Sequence, residues 1–209
     1  MQGFAENYIF EKEKKVSLAA PFNLDLFMTT HLVLLRGINV SGHNIIKMEA
    51  LQKALEKIGF TSVRTYIQSG NVFVDTPEKS ATRVGFIIKQ EIFSAFGHEV
   101  PVVVIAKEDL LNCFKKNPFL QELDADTKKL YVAFVSTVLS PESIHDLKMS
   151  AVKPDEVSID SNQIYIKYSI SAGKTRLDQK YIEKKLNVTA TIRNWNTVTN
   201  LLKMYEEGE

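Results

Sequence analysis

Three polar clusters in this 209-residue chain have the side chains and spacing to hold a ligand. The first is Arg36-Gly37-Ile38-Asn39-Val40-Ser41-Gly42-His43-Asn44, a loop between the apolar run Leu32 to Leu35 and a helical repeat, with Lys47 just beyond it. A loop leading into a helix offers backbone N–H groups and the positive end of a dipole, which suit an anion. Arg36, a guanidinium at the end of an apolar strand, needs a carboxylate, a carbonyl or a ligand. Gly37 and Gly42 have the spacing of a phosphate loop, but His43-Asn44 stand where Lys and Ser or Thr would hold phosphate and magnesium, so a Walker NTPase is excluded. The second cluster, Ser69-Gly70-Asn71, reads as a hairpin turn. The third, Arg193-Asn194-Trp195-Asn196-Thr197-Val198, sets one cation, two amides, a hydroxyl and the lone Trp side by side. Asn194 or Asn196 can cap a following helix, and Trp195 reads as a core anchor. A fourth segment, Ser169 to Arg176, is a polar loop with two cations ahead of a helix, suited either to phosphate or to solvent.

Other chemistries lack their residues. His31, His43, His98 and His145 are scattered without metal-binding spacing, and the single Cys113 cannot build a paired-thiol site, so no metal or cofactor is expected. There is no serine-hydrolase elbow and no dinucleotide glycine motif, and Cys113 falls at an apolar helical position suited to the core. With 26 Lys+Arg against 25 Asp+Glu, the chain has no bulk charge with which to coat nucleic acid or an anionic membrane. The lone cysteine and the lack of a secretory signal point to a cytoplasmic protein. Its richest apolar stretch, Val100 to Ala106, is strand-sized and too short to span a bilayer.

The elements that position these clusters follow from periodicity. Leu32 to Leu35 reads as a buried strand, and Met48, Leu51, Leu55 and Ile58 repeat at helical spacing up to Gly59. Ser62 to Gln68 and Val72 to Val74 form a hairpin, a helix runs after Pro77 to Gly97, and Val100 to Ile105 forms a further strand. This βαββαβ order recurs: strand Leu130 to Val135, a helix opened by Ser140-Pro141-Glu142, strands Glu156 to Ile159 and Gln163 to Tyr168, a helix around Leu177 to Leu186, and a strand near Thr189 to Ile192. A last helix covers about Asn196 to Glu207. The expected fold is α+β: two ferredoxin-like halves plus a C-terminal helix. Residues 1–27 read as a leader that folding does not need, with Met28 a natural start. Residues 28–107 form the first half, 108–128 a helical connector, and 129–209 the second half.

Ferredoxin-like sheets also carry RNA-recognition domains, so the sheet faces matter. The first half lacks paired aromatic positions. In the second, alternation puts Leu130, Val132, Phe134, Ile164 and Ile166 inward and Tyr131, Tyr165 and Lys167 on the opposite face, where two rings and a cation could stack bases; the favoured alternative is that the other half of the protein covers this face.

Four motifs in order, Leu34 to Val40, Lys47-Met48, Thr65 to Val72 and Arg193 to Val198, resemble the signature of a widespread bacterial family classed as a domain of unknown function. The resemblance spans about residues 31–205 and implies a pair of ferredoxin-like subdomains. It brings no activity, substrate or cofactor. The residues that define the family are Arg36, Gly37, Asn39, Lys47, Ser69, Gly70, Asn71, Arg193, Asn194, Trp195, Asn196 and Thr197. Most are polar or glycine, and this composition implies a shared polar site. The leading expectation is therefore a small anionic or nucleotide-like ligand between the halves, held by Arg36, Gly37, Asn39, Lys47, Ser69, Asn71, Arg193, Asn194 and Asn196. The alternative is a module that binds single-stranded nucleic acid or a protein without chemistry. A third reading makes the same residues caps and partners of buried backbone groups.

Overall fold

The computed structural model describes residues 28–122, 125–149 and 153–208; the leader lies outside the described residues. The elements are β1 (Thr29–Leu35), α1 (Met48–Lys57), β2 (Thr61–Tyr66), β3 (Asn71–Thr76), α2 (Ala81–Phe96), β4 (Val102–Ile105) and α3 (Lys107–Lys116). They continue as β5 (Leu130–Val135), α4 (Pro141–Met149), β6 (Glu156–Asp160), β7 (Gln163–Lys167), α5 (Gln179–Leu186), β8 (Ala190–Asn194) and α6 (Trp195–Glu207). The strands make two antiparallel sheets of order β2-β3-β1-β4 and β6-β7-β5-β8. The chain is thus α+β with two βαββαβ units and a C-terminal helix, as expected.

Local chemistry sets the helix ends. The Ser80 hydroxyl accepts the Arg83 N–H at 3.3 Å to start α2, and the Asp178 carboxylate accepts the Tyr181 N–H at 2.7 Å to start α5. Asn187 closes α5 in the left-handed region.

Strand alternation divides the core into three clusters. Val33, Leu35, Val72 and Val74 face α1 and α2, while Leu32, Leu34 and Phe73 face the other way. In the second sheet Ala133, Val135, Ile164 and Ile166 belong to the cluster with α4 and α5 residues, whereas Leu130, Val132, Phe134 and Tyr165 join Leu32, Leu34 and Phe73. The inner faces of both sheets therefore share one core, completed by Leu110 and Cys113 of α3 and by Trp195, Val198, Leu201 and Tyr205 of α6. Each large apolar side chain buried there stabilises the fold by about 1.5–3 kcal/mol. Buried on both faces, β1 and β5 read as unbroken apolar runs.

The register corrects the expected stacking face. Tyr165 lies opposite Val132, and Tyr131 opposite Ile166, so the two tyrosines point to different faces of the sheet. Tyr165 is buried in the shared core, its hydroxyl donating to Gln163 Oε1 at 3.0 Å. Tyr131 packs edge-on against Tyr168 with ring centroids 5.0 Å apart. The pairing of β5 with β7 sets Tyr165 beside Val132 on the covered inner face, while Tyr131 stays on the face of Ile164 and Ile166.

Candidate functional site

The polar motifs meet where the end of β1, the β2–β3 turn and β8 come together. The Leu35 N–H donates to the Gly70 carbonyl at 2.7 Å, which fastens the turn to the strand. Gly70 has φ +75, and a Cβ there would fall 2.7 Å from Leu35 Cβ and 2.9 Å from Ile38 Cδ1, so only glycine allows this approach. The turn is Ile67 to Gly70, with Asn71 already paired to Tyr66 as the first residue of β3, so the hairpin is longer than the tight turn expected. Asn39, itself left-handed at φ +54, clamps the first loop onto this turn. Its amide donates to the Ile46 and Gln68 carbonyls, both at 2.9 Å, and its Oδ1 accepts the Ile46 N–H at 2.8 Å. Asn44 donates to the Gly37 carbonyl at 3.1 Å.

Arg193 ties the second half to this cluster. It shares a face of β8 with Thr191, two residues earlier, and both are buried. Its Nε donates to Asn71 Oδ1 at 2.6 Å, and Nη1 donates to Thr191 Oγ1 at 2.7 Å and to the Ile192 carbonyl at 3.0 Å. Nη2 donates to the carbonyls of Leu35 at 2.9 Å and Ser69 at 3.0 Å. A guanidinium has five N–H donors, and all five are taken. Asn71 is saturated too, its amide donating to the Tyr66 carbonyl and to Ser69 Oγ. Burial without a carboxylate pulls Arg193 down to about 10, so it stays charged at neutral pH. Its charge is met by oriented carbonyl and amide dipoles.

Arg36 is arranged differently. It forms an ion pair with Glu183 of α5, Nη2 to Oε2 at 2.5 Å, while Glu183 Oε1 accepts the Ala190 N–H at 3.0 Å. The Arg36 Nε is buried with no partner.

Five of the expected residues, Arg36, Asn39, Ser69, Asn71 and Arg193, are thus joined at the junction, directly or through a chain neighbour, and Gly37 is tied to the same loop. Asn194 follows Arg193 but serves as the cap of α6, accepting the Thr197 N–H at 2.8 Å. Asn196 is exposed on α6, where its carbonyl accepts from Asn200 at 2.8 Å, and Lys47 is exposed at the start of α1; no bond carries either into the junction. Glu183 and Thr191 went unforeseen, although the spacing of Thr191 to Arg193 is the strand signal that they share a face. Also unforeseen is the character of the loop tips. Val40 (58% exposed), Ile45 (65%) and Ile67 (51%) each neighbour a residue bonded to or through Asn39.

Among the described residues no three His, Cys, Asp or Glu side chains are placed to hold a metal, and no helix is long and apolar enough to cross a membrane. Cys113 is buried beside Tyr165, and burial pushes its thiol up to about 12, far from a usable nucleophile. A cavity of about 820 Å³ lies at the opposite end of β1, bordered by Thr29, His31, Asp75 and Lys79, and one of about 240 Å³ lies along β4.

A model of a protein family of unknown function, DUF1697, matches residues 28–165. The chain belongs to the DUF1697 family. That match contains Leu35, Ser69 and Asn71, three of the acceptors of Arg193, while Arg193 itself lies beyond it. Among solved structures this DUF1697 chain is similar to the conserved bacterial protein SP0830 from Streptococcus pneumoniae. The TM-score is 0.62 at 22% identity, over 85% of this chain and 98% of that one, a likeness of fold. No curated protein matches the chain.

Proposed function

We propose that this DUF1697 protein is a binding module without bond-making chemistry, which docks a partner protein on its two clamped loops. The observation that supports this reading is the division of labour at the junction. Asn39, Asn71 and Arg193 turn their donors and acceptors inward, and the same loops expose the apolar Val40, Ile45 and Ile67 beside the polar Ser41, His43 and Gln68. Exposed apolar side chains on a rigid frame suit a partner, because no conformational freedom is lost on docking. Ile67 strengthens the case, since a β-branched residue at φ +49 is strained, and strain of this kind gathers at functional positions. Arg36 and Lys47 bracket the first loop in sequence, so the partner segment is apolar with a carboxylate beside it. Photocrosslinking in living cells tests the idea, with the crosslinker placed at 40, 45 or 67 and, as controls, at exposed Lys53 or Ser94. One adduct common to the three loop positions and absent from both controls is expected. Equal adducts at all five positions, or none at the loops, would overturn it.

A second reading, a small anionic or nucleotide-like ligand at the same end of the molecule, is favoured by one observation, the unpartnered Arg36 Nε. In that case the anion competes with Glu183 for the guanidinium. A thermal-shift series with nucleotides and sugar phosphates should then show stabilisation of about 2.7 kcal/mol at 100 times the dissociation constant, lost in Arg36→Gln. An identical shift in Arg36→Gln would sink this reading.

A further inference from the structure

The polar loop Ser169 to Arg176 and the helix α5 that follows it take no part in the junction site apart from Glu183. Residues 169–187 hold Lys174, Arg176, Lys180, Lys184 and Lys185 against Asp178 and Glu183, a net +3 inside a chain whose total is +1. The rest of the chain therefore sums to −2, and this stretch is one of its net-positive segments. Both acidic side chains in this stretch are occupied, Asp178 by the Tyr181 N–H and Glu183 by Arg36 and the Ala190 N–H. All five cations are exposed, and among the described residues none of them forms an ion pair. Lys180 and Lys184 stand four residues apart on α5, so they lie on one side of the helix. The loop carrying Lys174 and Arg176 is held by buried Asp155, whose Oδ1 accepts the Ser169 N–H and hydroxyl, each at 2.9 Å, and whose Oδ2 accepts the Thr175 hydroxyl. Exposed Lys153 lies two residues before the anchoring Asp155.

We infer that this loop and helix form a binding surface for the phosphodiester backbone of a nucleic acid. The chemistry fits that partner better than the others that carry negative charge. A membrane-surface helix must offer an apolar face to the lipid, but Ile182 and Leu186 of α5 are buried in the core. The one large apolar side chain exposed on the loop, Ile170, is too little for the desolvated apolar centre of a protein interface, whereas backbone phosphates are held by cations. The buried Tyr165 leaves no stacking platform of the kind the sequence suggested, so binding is independent of sequence and governed by charge.

Fluorescence anisotropy of the full chain with a short labelled oligonucleotide, single-stranded or duplex, tests this inference. With four phosphate contacts to a single strand, the slope of log K against log salt is expected near −2.8, a fall of about fifty-fold between about 50 and 200 mM salt. A duplex should give about −3.6, and the tighter of the two identifies the natural form. Lys180→Glu with Lys184→Glu should bring the single-strand slope to about −1.4 while the melting temperature holds. Lys174→Gln with Arg176→Gln, on the loop, should weaken binding in the same direction, and it serves if the helix variant fails to fold. No binding at low salt, affinity independent of salt, unchanged affinity in both variants, or equal binding to poly-glutamate or phosphatidylserine vesicles would overturn the inference. Failure here leaves the loop-tip reading standing, because the two rest on different residues.

Discussion

Replacing Ile67 by Asn should make the protein more stable. At φ +49 the isoleucine occupies the left-handed region, where an L residue is disfavoured by roughly 1–2 kcal/mol and a β-branched one has least room. Asn visits that region at much lower cost, since its short side chain bonds locally. The opposing term is lost burial. Ile67 is 51% exposed and belongs to none of the three core clusters, so the contacts forfeited amount to about 0.5 kcal/mol. The net gain is about 1 kcal/mol, or roughly 2–4 °C in melting temperature for a chain of this size. Ile45→Asn is the matched control: Ile45 is 65% exposed, lies on the neighbouring loop and has no positive φ, so its effect should stay within about 0.5 kcal/mol. Urea denaturation of both variants, followed by fluorescence of the lone Trp195, reads the difference directly. An Ile67→Asn protein less stable than wild type, or within about 0.3 kcal/mol of the Ile45→Asn protein, would refute the claim of stored strain. If the gain in stability comes with loss of the loop-tip crosslink, the strain is retained for what the side chain does.

Further outcomes follow from the junction and the core. Arg193→Met should cost about 3–5 kcal/mol in urea denaturation, because Asn71 Oδ1 and the Leu35 and Ser69 carbonyls lose their buried donor, and Arg193→Lys should recover only part of that. Gly70→Ala should destabilise by more than about 2 kcal/mol in the same assay, since the new methyl meets Leu35 Cβ at 2.7 Å in a left-handed turn. Cys113 should resist a thiol reagent at pH 8 until the protein unfolds, being buried and held protonated. The thiol pKa rises on folding from 9.0 to about 12, so its contribution to stability is complete below about pH 9 and declines as pH climbs toward 12, which alkaline urea titrations should show.

Most of the architecture was legible because the central strands are buried on both faces and several helices carry a start or stop signal. Leu130–Val135 matches its apolar run residue for residue, and Ser80, Asp178 and Asn194 cap the helices they precede. Which face a residue takes depends on how strands pair, and no single strand contains that information. Tyr131 and Tyr165 illustrate the point, since each alternates correctly along its own strand and they part company across the sheet. What was legible of the junction is part of its residue list, without Lys47, Asn194 and Asn196. Arg36, Asn39, Ser69, Asn71 and Arg193 do converge, as polar residues in a shared signature suggest. That Arg193 spends all five donors on protein acceptors agrees with the reading of these residues as partners of buried backbone groups; which carbonyls they are is not in the sequence, because every residue has one. The exposure of Val40, Ile45 and Ile67 has no signal in the sequence, because their residue types are those of a core.

The central claim is that the polar signature is an internal tie whose purpose is to hold the loops, and a double-mutant cycle between Arg193 and Asn71 tests it most directly. With Arg193→Met, Asn71→Leu and the double variant compared by urea denaturation, the 2.6 Å bond between two buried, saturated side chains predicts a coupling above about 1.5 kcal/mol. Single effects that add to within about 0.5 kcal/mol would contradict it, and would return Arg193 to the pool of groups available for a ligand.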